Sequence, residues 1–301
     1  MGRVITIHHS SPMHRVLVVY KKSLHQIYIL ERNRRLRGDR NRFDAEQLKR
    51  LQAAHDSHLR TLDKVRAVFG KRKIRFREIY RARHVDYGRY DFVIAVGGDG
   101  TFIEAARQIT DQPILGVNSD PVRSVGVFCA ATGKTFAAAV DAICDGAATV
   151  KRLNRMAVHV DGEPLGFYVL NDVLVAHVLP AAMSQYRIRV NAEVEEQKGS
   201  GIWVSTAAGS SGGIYSAGGH HMPWGSIRLQ YQPRELFTGD GADYRLRGGI
   251  VALKRPLIFE SRMREGRVFV DGPHVRLPFP FGCRLQIANA RHPLRVVMPK
   301  T

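Results

Sequence analysis

The 301-residue sequence predicts an α/β domain with a Rossmann-like parallel sheet over residues 1–148, followed by a mainly β domain, an antiparallel sandwich, over 149–301. Three observations carry this expectation. In the first half, short β-branched apolar runs alternate with amphipathic helical stretches, the βα series of a mostly parallel sheet. Beyond residue 148 the runs become short and alternating, with glycine and proline between them, as in antiparallel strands. The third is the turn Gly97-Gly98-Asp99-Gly100-Thr101, set between a buried strand and a helix, where open α/β sheets bind their ligands.

In chain order, Arg15–Tyr20 reads as a strand and Phe43–Phe69 as a long amphipathic helix. Phe92–Val96 is a short β-branched run closed by glycines, hence a buried strand. Phe102, Ala105, Ala106 and Ile109 then recur at helical spacing, with Thr101 placed to cap their helix. Pro113–Val117 reads as another buried strand and Lys134–Cys144 as an alanine-rich helix. The strand candidates of the second half are Ala157–Val160, Tyr168–Val175, Tyr186–Val194, Ile202–Ser205, Ile250–Ala252, Val268–Val270 and Leu285–Ile287. Arg234–Gly249 is polar and aperiodic, a surface loop, and the C-terminal end is expected to pack back on the first domain.

Hydrophobic residues make up 44% of the chain, as in a soluble globular protein, and the formal net charge is +19. No apolar stretch approaches the roughly 20 residues that span a bilayer, and Met1 to Pro12 lack the apolar core of a secretory signal. Cys129, Cys144 and Cys283 are scattered without disulfide or zinc spacing, which points to a reducing, cytoplasmic compartment. The densest basic run is Arg32, Arg34, Arg35, Arg37, Arg40 and Arg42. It reads first as a solvated face, and otherwise as a contact for a polyanion or an acidic partner. Nucleic acid is disfavoured, because finger spacings and aromatic-basic alternation are both missing.

Glycines at a strand exit let the backbone approach a ligand, and the amides and dipole of a helix start favour an anion there. Asp99 would repel a phosphate unless a metal ion or a proton transfer gives it a role, so it suggests chemistry as well as binding. The same triplet also fits a plain turn. Ser205–Gly219 is too rich in small hydroxyl and glycine residues for a core strand and suits a loop wrapped around sugar and phosphate oxygens. Asn171-Asp172 is a polar pair between apolar runs, costly to bury without partners. It fits a structural bulge or a grip on a ribose diol.

In this order, the Gly-Gly-Asp-Gly-Thr turn, the Asn-Asp pair and the Ser-Thr-x-x-Gly-Ser loop ending in Ser-Ala-Gly-Gly resemble the NAD kinase family over roughly residues 90–290, with Asp271-Gly272 similar to its late turn. The first motif is shared with diacylglycerol, sphingosine and phosphofructokinases, whereas the second loop favours NAD kinases. The resemblance implies transfer of the γ-phosphoryl group of ATP to the 2′-hydroxyl of the adenosine ribose of NAD, giving NADP. Asp99 would be the general base, with Gly100 beside the substrate and Mg²⁺ or another divalent cation arriving with ATP. Gly97, Gly98, Gly100, Thr101 and Asn118 would lie at the ATP phosphates. Asn171 and Asp172 would hold a ribose of NAD, and Ser211, Gly212, Gly213, Tyr215 and Ser216 would line the dinucleotide. A homo-oligomer, dimer or tetramer, with paired β domains is also implied.

Several positions depart from the family pattern. Ser211-Gly212-Gly213 stands where most members have Thr-Ala-Tyr, so the ring expected near the adenine is missing, and Tyr215 is its nearest substitute. Ser200 replaces an acid, Asn171-Asp172 an Asn-Glu pair, Ser119-Asp120-Pro121 a glycine-rich stretch, and Pro273 a glutamine. These changes resemble the divergent branch that includes mitochondrial NAD kinases. The alternatives are a kinase of a lipid or sugar hydroxyl, which the polar Ser205 loop disfavours, and a nucleotide-binding regulator without turnover, which Asp99 disfavours.

Overall fold

The structure is a computed structural model that describes residues 5–6, 13–31, 43–239, 241–253 and 255–298; the Arg32–Arg42 run lies outside them. Among the described residues the chain forms two compact units, one of the residues up to 151 with those from 295 onward, the other of residues 152–294.

The first unit contains β1 (Ile5–Thr6), β2 (Arg15–Tyr20), α1 (Ala45–Lys71), β3 (Arg75–Tyr80), β4 (Phe92–Gly97), α2 (Asp99–Gln108), β5 (Ile114–Asn118), β6 (Cys129–Thr132), α3 (Phe136–Cys144) and β7 (Thr149–Leu153). Its sheet runs β1, β7, the late strand Leu294–Met298, β5, β4, β2, β3, with β6 also on β5. Strands β2 to β6 and the late strand pair in parallel, and β1 pairs with β7 antiparallel. Every residue of β4 is buried, as a central parallel strand requires. Asp44 starts α1 with a capping box: its carboxylate accepts from the Gln47 N–H at 2.7 Å, and the Gln47 side chain accepts from the Asp44 N–H at 3.1 Å. Leu62, Val65 and Phe69 of α1 share one core with Phe136, Val140 and Ile143 of α3 and with Val16 and Val18. Leu17 and Val19, on the opposite face of the same strand, are buried as well.

The second unit is all antiparallel. It contains β8 (Met156–Val160), β9 (Glu163–Pro164), β10 (Asp172–His177), β11 (Ser184–Val190), β12 (Glu193–Gly199), β13 (Gly201–Ser205), α4 (Gly213–Ser216), β14 (Leu229–Arg234), β15 (Gly249–Val251), β16 (Leu257–Ser261), β17 (Gly266–Val270), β18 (Val275–Pro278) and β19 (Arg284–Asn289). One sheet runs β15-β14-β13-β10-β17-β18, the other β12-β11-β16-β19-β8-β9. A single apolar core joins Val173, Val175, Ile202 and Val204 of the first sheet to Ile188, Phe259, Leu285 and Ile287 of the second.

Two strand expectations need correction. Tyr186–Val194 is not one strand but a hairpin, because Asn191 takes φ +53 and reverses the chain between β11 and β12. Tyr168–Val175 is a strand only from Asp172 onward. Before it, the backbone N–H groups of Leu170 and Asn171 turn to the Asp271 carboxylate instead of a ladder.

Candidate functional site

In the first unit the register sets Tyr20 level with Tyr80 and Val96, and Gly97 level with Asn118. The residues that follow these strands, Lys21, Arg81, Gly98-Asp99 and Ser119-Asp120, therefore emerge along one carboxyl edge. Two glycines are needed there for space. A Cβ on Gly97 would overlap the Thr101 hydroxyl, and one on Gly98 would lie 2.7 Å from Ser124 Oγ.

Helix α2 begins at Asp99 with Gly98 as its N-cap, so Thr101 does not cap it. The N–H groups of Thr101 and Phe102 already donate to the Gly98 carbonyl, at 3.0 and 3.2 Å. This places Thr101 inside the first turn, buried against Gly97. Asp99 Oδ1 accepts from the Phe128 N–H at 2.8 Å, which orients the carboxylate and leaves Oδ2 for another partner. Its negative charge suits the first turn of a helix.

Arg81 Nη1 lies 3.7 Å from where a Cβ on Gly100 would sit, and its Nε pairs with Glu104 at 3.1 Å. Burial holds the Lys21 ammonium below its ordinary pKa, with Asp120 opposing that shift and Arg81 adding to it. Neither cation was a sequence-derived site residue. Their signal was positional, since each directly follows a parallel strand. Asn118 is buried and internally engaged: its Nδ2 donates to the Ser124 carbonyl at 2.8 Å, and its Oδ1 accepts from the Asp120 N–H at 3.0 Å. It shapes the loop beside the turn. Helix α1 holds that loop too, through the Ser57 hydroxyl on the Ser119 carbonyl at 2.9 Å.

In the second unit, Asn171-Asp172 is clasped from two sides. The Asp271 carboxylate, at a left-handed φ of +48, accepts from the N–H of Asn171 at 2.7 Å and of Asp172 at 3.4 Å. From the other side the Thr206 N–H and the Ser205 hydroxyl donate to the Asn171 carbonyl, at 3.0 and 3.2 Å. Gly209 approaches the same carbonyl so closely that a Cβ would overlap it. Asn171 Oδ1 is buried without a hydrogen bond among the described residues. Burial, reinforced by the Asp271 charge, pushes the Asp172 carboxyl up to about 7. The sequence marked Asp271 as part of a late turn and missed its role as the clamp.

Ser210 is tied inside the loop, donating to the Ala207 carbonyl at 2.8 Å and accepting from the Met222 N–H at 2.9 Å. Ser211 is exposed. Gly212 brings the loop close to Asp172, whose Oδ2 lies 3.6 Å from the position of its missing Cβ. Gly213 to Ser216 form the single turn α4, from which Tyr215 projects half-exposed.

A family model for the ATP-NAD kinase N-terminal domain matches residues 22–147. A probable NADH kinase of Oryza sativa is 36% identical over 70% of this chain and 71% of its own length. An NADH kinase of Arabidopsis thaliana is 28% identical over 69% of this chain and 73% of its own. Among solved structures, an NAD kinase from Archaeoglobus fulgidus in complex with ATP superposes with a TM-score of 0.68, covering 94% of this chain and 92% of that one, at 19% identity. Yeast NADH kinase complexed with NADH gives 0.66 over 99% and 89%, at 12% identity. Those two similarities speak for the fold. The similarity to the rice sequence reaches further, since it spans more than two thirds of both chains: this chain belongs to the NAD kinase family.

Proposed function

We propose that the chain is a phosphotransferase with an alcohol acceptor, moving the γ-phosphoryl group of ATP to the 2′-hydroxyl of the adenosine ribose of NAD to give NADP and ADP. The observation that carries this reading is the Asp99 carboxylate, fixed through one oxygen by the Phe128 N–H in the first turn of α2. Its other oxygen takes the hydroxyl proton as the O–P bond to the acceptor forms and the bond from the γ-phosphorus to the bridging oxygen of ADP breaks. Phosphoryl transfer needs positioning and charge neutralisation above all. The amides that open α2, at Gly98 to Gly100, would supply part of that, and Gly100 admits substrate close to the backbone. Mg²⁺ or a similar cation would come with ATP on its phosphate oxygens and neutralise their charge. Asn171 and Asp172 would hold a ribose of NAD, while Ser211, Gly212, Gly213, Tyr215 and Ser216 would line the dinucleotide. Asn118 acts through the loop it shapes near the phosphates.

NADH is a second acceptor under this reading, because its 2′-hydroxyl is the same group and both plant relatives are named NADH kinases. No helix among the described residues is long and apolar enough to cross a membrane. A cytoplasmic location and a homo-oligomer remain part of the proposal. The test is to incubate the protein with ATP, Mg²⁺ and either NAD or NADH and measure NADP or NADPH. Absence of both products, with turnover of a lipid or sugar, would overturn it.

A further inference from the structure

At the amino end of the first unit's sheet, opposite the edge that carries Asp99, the chain gathers positive charge at a local cost. Arg15 and Arg75 open β2 and β3 and stand level in the register of these parallel strands. Like charges side by side on a sheet repel. Asp91 answers Arg15 alone, pairing with its guanidinium at 3.1 Å. Just before β3, helix α1 ends in a Schellman motif: the Ile74 N–H donates to the Phe69 carbonyl at 3.0 Å and the Lys73 N–H to the Gly70 carbonyl at 3.2 Å. The left-handed place in that motif usually belongs to glycine. Here Lys73 takes it, at φ +56. Arg72 beside it has ordinary reasons to be there, since it ends the helix at the negative pole of the dipole and pairs with Asp141. Among the described residues neither Lys73 nor Arg75 forms an ion pair. All four cations line one cavity of about 690 Å³, whose lining holds a single carboxylate, Asp141.

We propose that this cavity is a second anion site, for a small molecule carrying two or more linked phosphate groups. Its volume is that of a small-molecule pocket. Guanidinium forks match phosphate oxygens in pairs, and an ammonium adds a point charge. The cations outnumber the carboxylates of Asp91 and Asp141 that pair with them, so a multiply charged ligand fits better than a single charge. Such a ligand would offset the repulsion between Arg15 and Arg75 and give Lys73 a counter-ion, which accounts for a lysine in a glycine's place. Strand β2 separates the cavity from the Asp99 edge, and at about 3.3 Å per residue its ends lie roughly 17 Å apart. The site is therefore distinct from the one proposed for the ATP phosphates and does not depend on the kinase reading.

Calorimetric titration with tripolyphosphate at physiological ionic strength tests this. The wild-type chain is expected to bind it, and Lys73→Gly and Arg75→Gln each to raise the Kd on the order of tenfold. Neither variant should lower the melting temperature of the ligand-free protein, because glycine takes φ +56 freely and glutamine relieves the repulsion on Arg15. Arg81→Gln, at the opposite edge, should leave this Kd within about twofold. Absence of binding would overturn the inference. So would binding that Lys73→Gly and Arg75→Gln leave intact while Arg81→Gln weakens it, which is the result for an anion held at the Asp99 edge alone. Citrate is expected to bind more weakly than tripolyphosphate, and equal affinity would overturn the assignment to phosphates. The titration needs no turnover, so a protein inactive on NAD and NADH that loses tripolyphosphate in Lys73→Gly supports the inference while defeating the kinase reading.

Discussion

Asp99 and Asp172 are both carboxylates near proposed ligand contacts, and their surroundings give them different tasks. Asp99 accepts a backbone N–H and sits at a helix start. Asp99→Asn keeps that hydrogen bond but removes the base, so kcat for NADP formation should fall by about 10²- to 10⁴-fold, with the melting temperature little changed. Asp172 is buried beside a second carboxylate and keeps its proton up to about pH 7 in the folded chain, whereas the unfolded chain releases it near 3.8. The folded state binds more protons between these values, so stability falls as pH rises across that window and stays reduced above it. Asp172→Asn should abolish the fall, a difference on the order of 4 kcal/mol, seen as a variant melting temperature that gains on wild type above pH 7 and not in acid. Asp99 and the Asn171-Asp172 pair were legible because short polar motifs interrupt apolar runs. The clamp by Asp271 was not, since the two segments meet only through sheet pairing of β10 with β17.

The elements show the same division between local and distant causes. The long helix α1 is readable to within two residues from its periodicity, and in the structure a capping box at Asp44 closes its start. Asp44→Ala should cost about 1 kcal/mol in urea denaturation. Helix α2 starts earlier than its apolar spacing suggests, because the Gly98 carbonyl begins the helical hydrogen bonds before the first apolar residue. Strand β14 alternates Leu229, Gln230, Tyr231 and Gln232 but is interrupted by Pro233, so its pairing with β13 decides its extent. The loop from Ser205 was recognisable by composition, yet its tightness comes from contact with Asn171 across the sheet. Gly209→Ala drives a methyl group into that carbonyl and should destabilise by about 1–3 kcal/mol. A drop in the urea midpoint with an unchanged slope would be the expected readout.

For the whole molecule, the late strand Leu294–Met298 links the end of the sequence to its beginning by adding to the sheet beside β5. Leu294, Val296 and Val297 are buried there. Burial of three such side chains contributes roughly 1.5–3 kcal/mol each, comparable to the net stability of an ordinary domain. Truncation after Pro293 should therefore abolish the cooperative thermal transition of the first unit, followed by circular dichroism, and expose it to limited proteolysis. Sequence texture separates the α/β half from the β half, but which upstream strand this segment joins is decided by pairing with distant residues and has no local signature. Among the described residues the chain consequently crosses between its units twice, once in β7 and once at the start of this strand. On the ribosome, the slot beside β5 stays open until the entire β unit has been made. The nucleotide-handling edge is encoded early, yet the sheet that supports it closes among the last events of synthesis, and closure of such distant contacts is intrinsically slow.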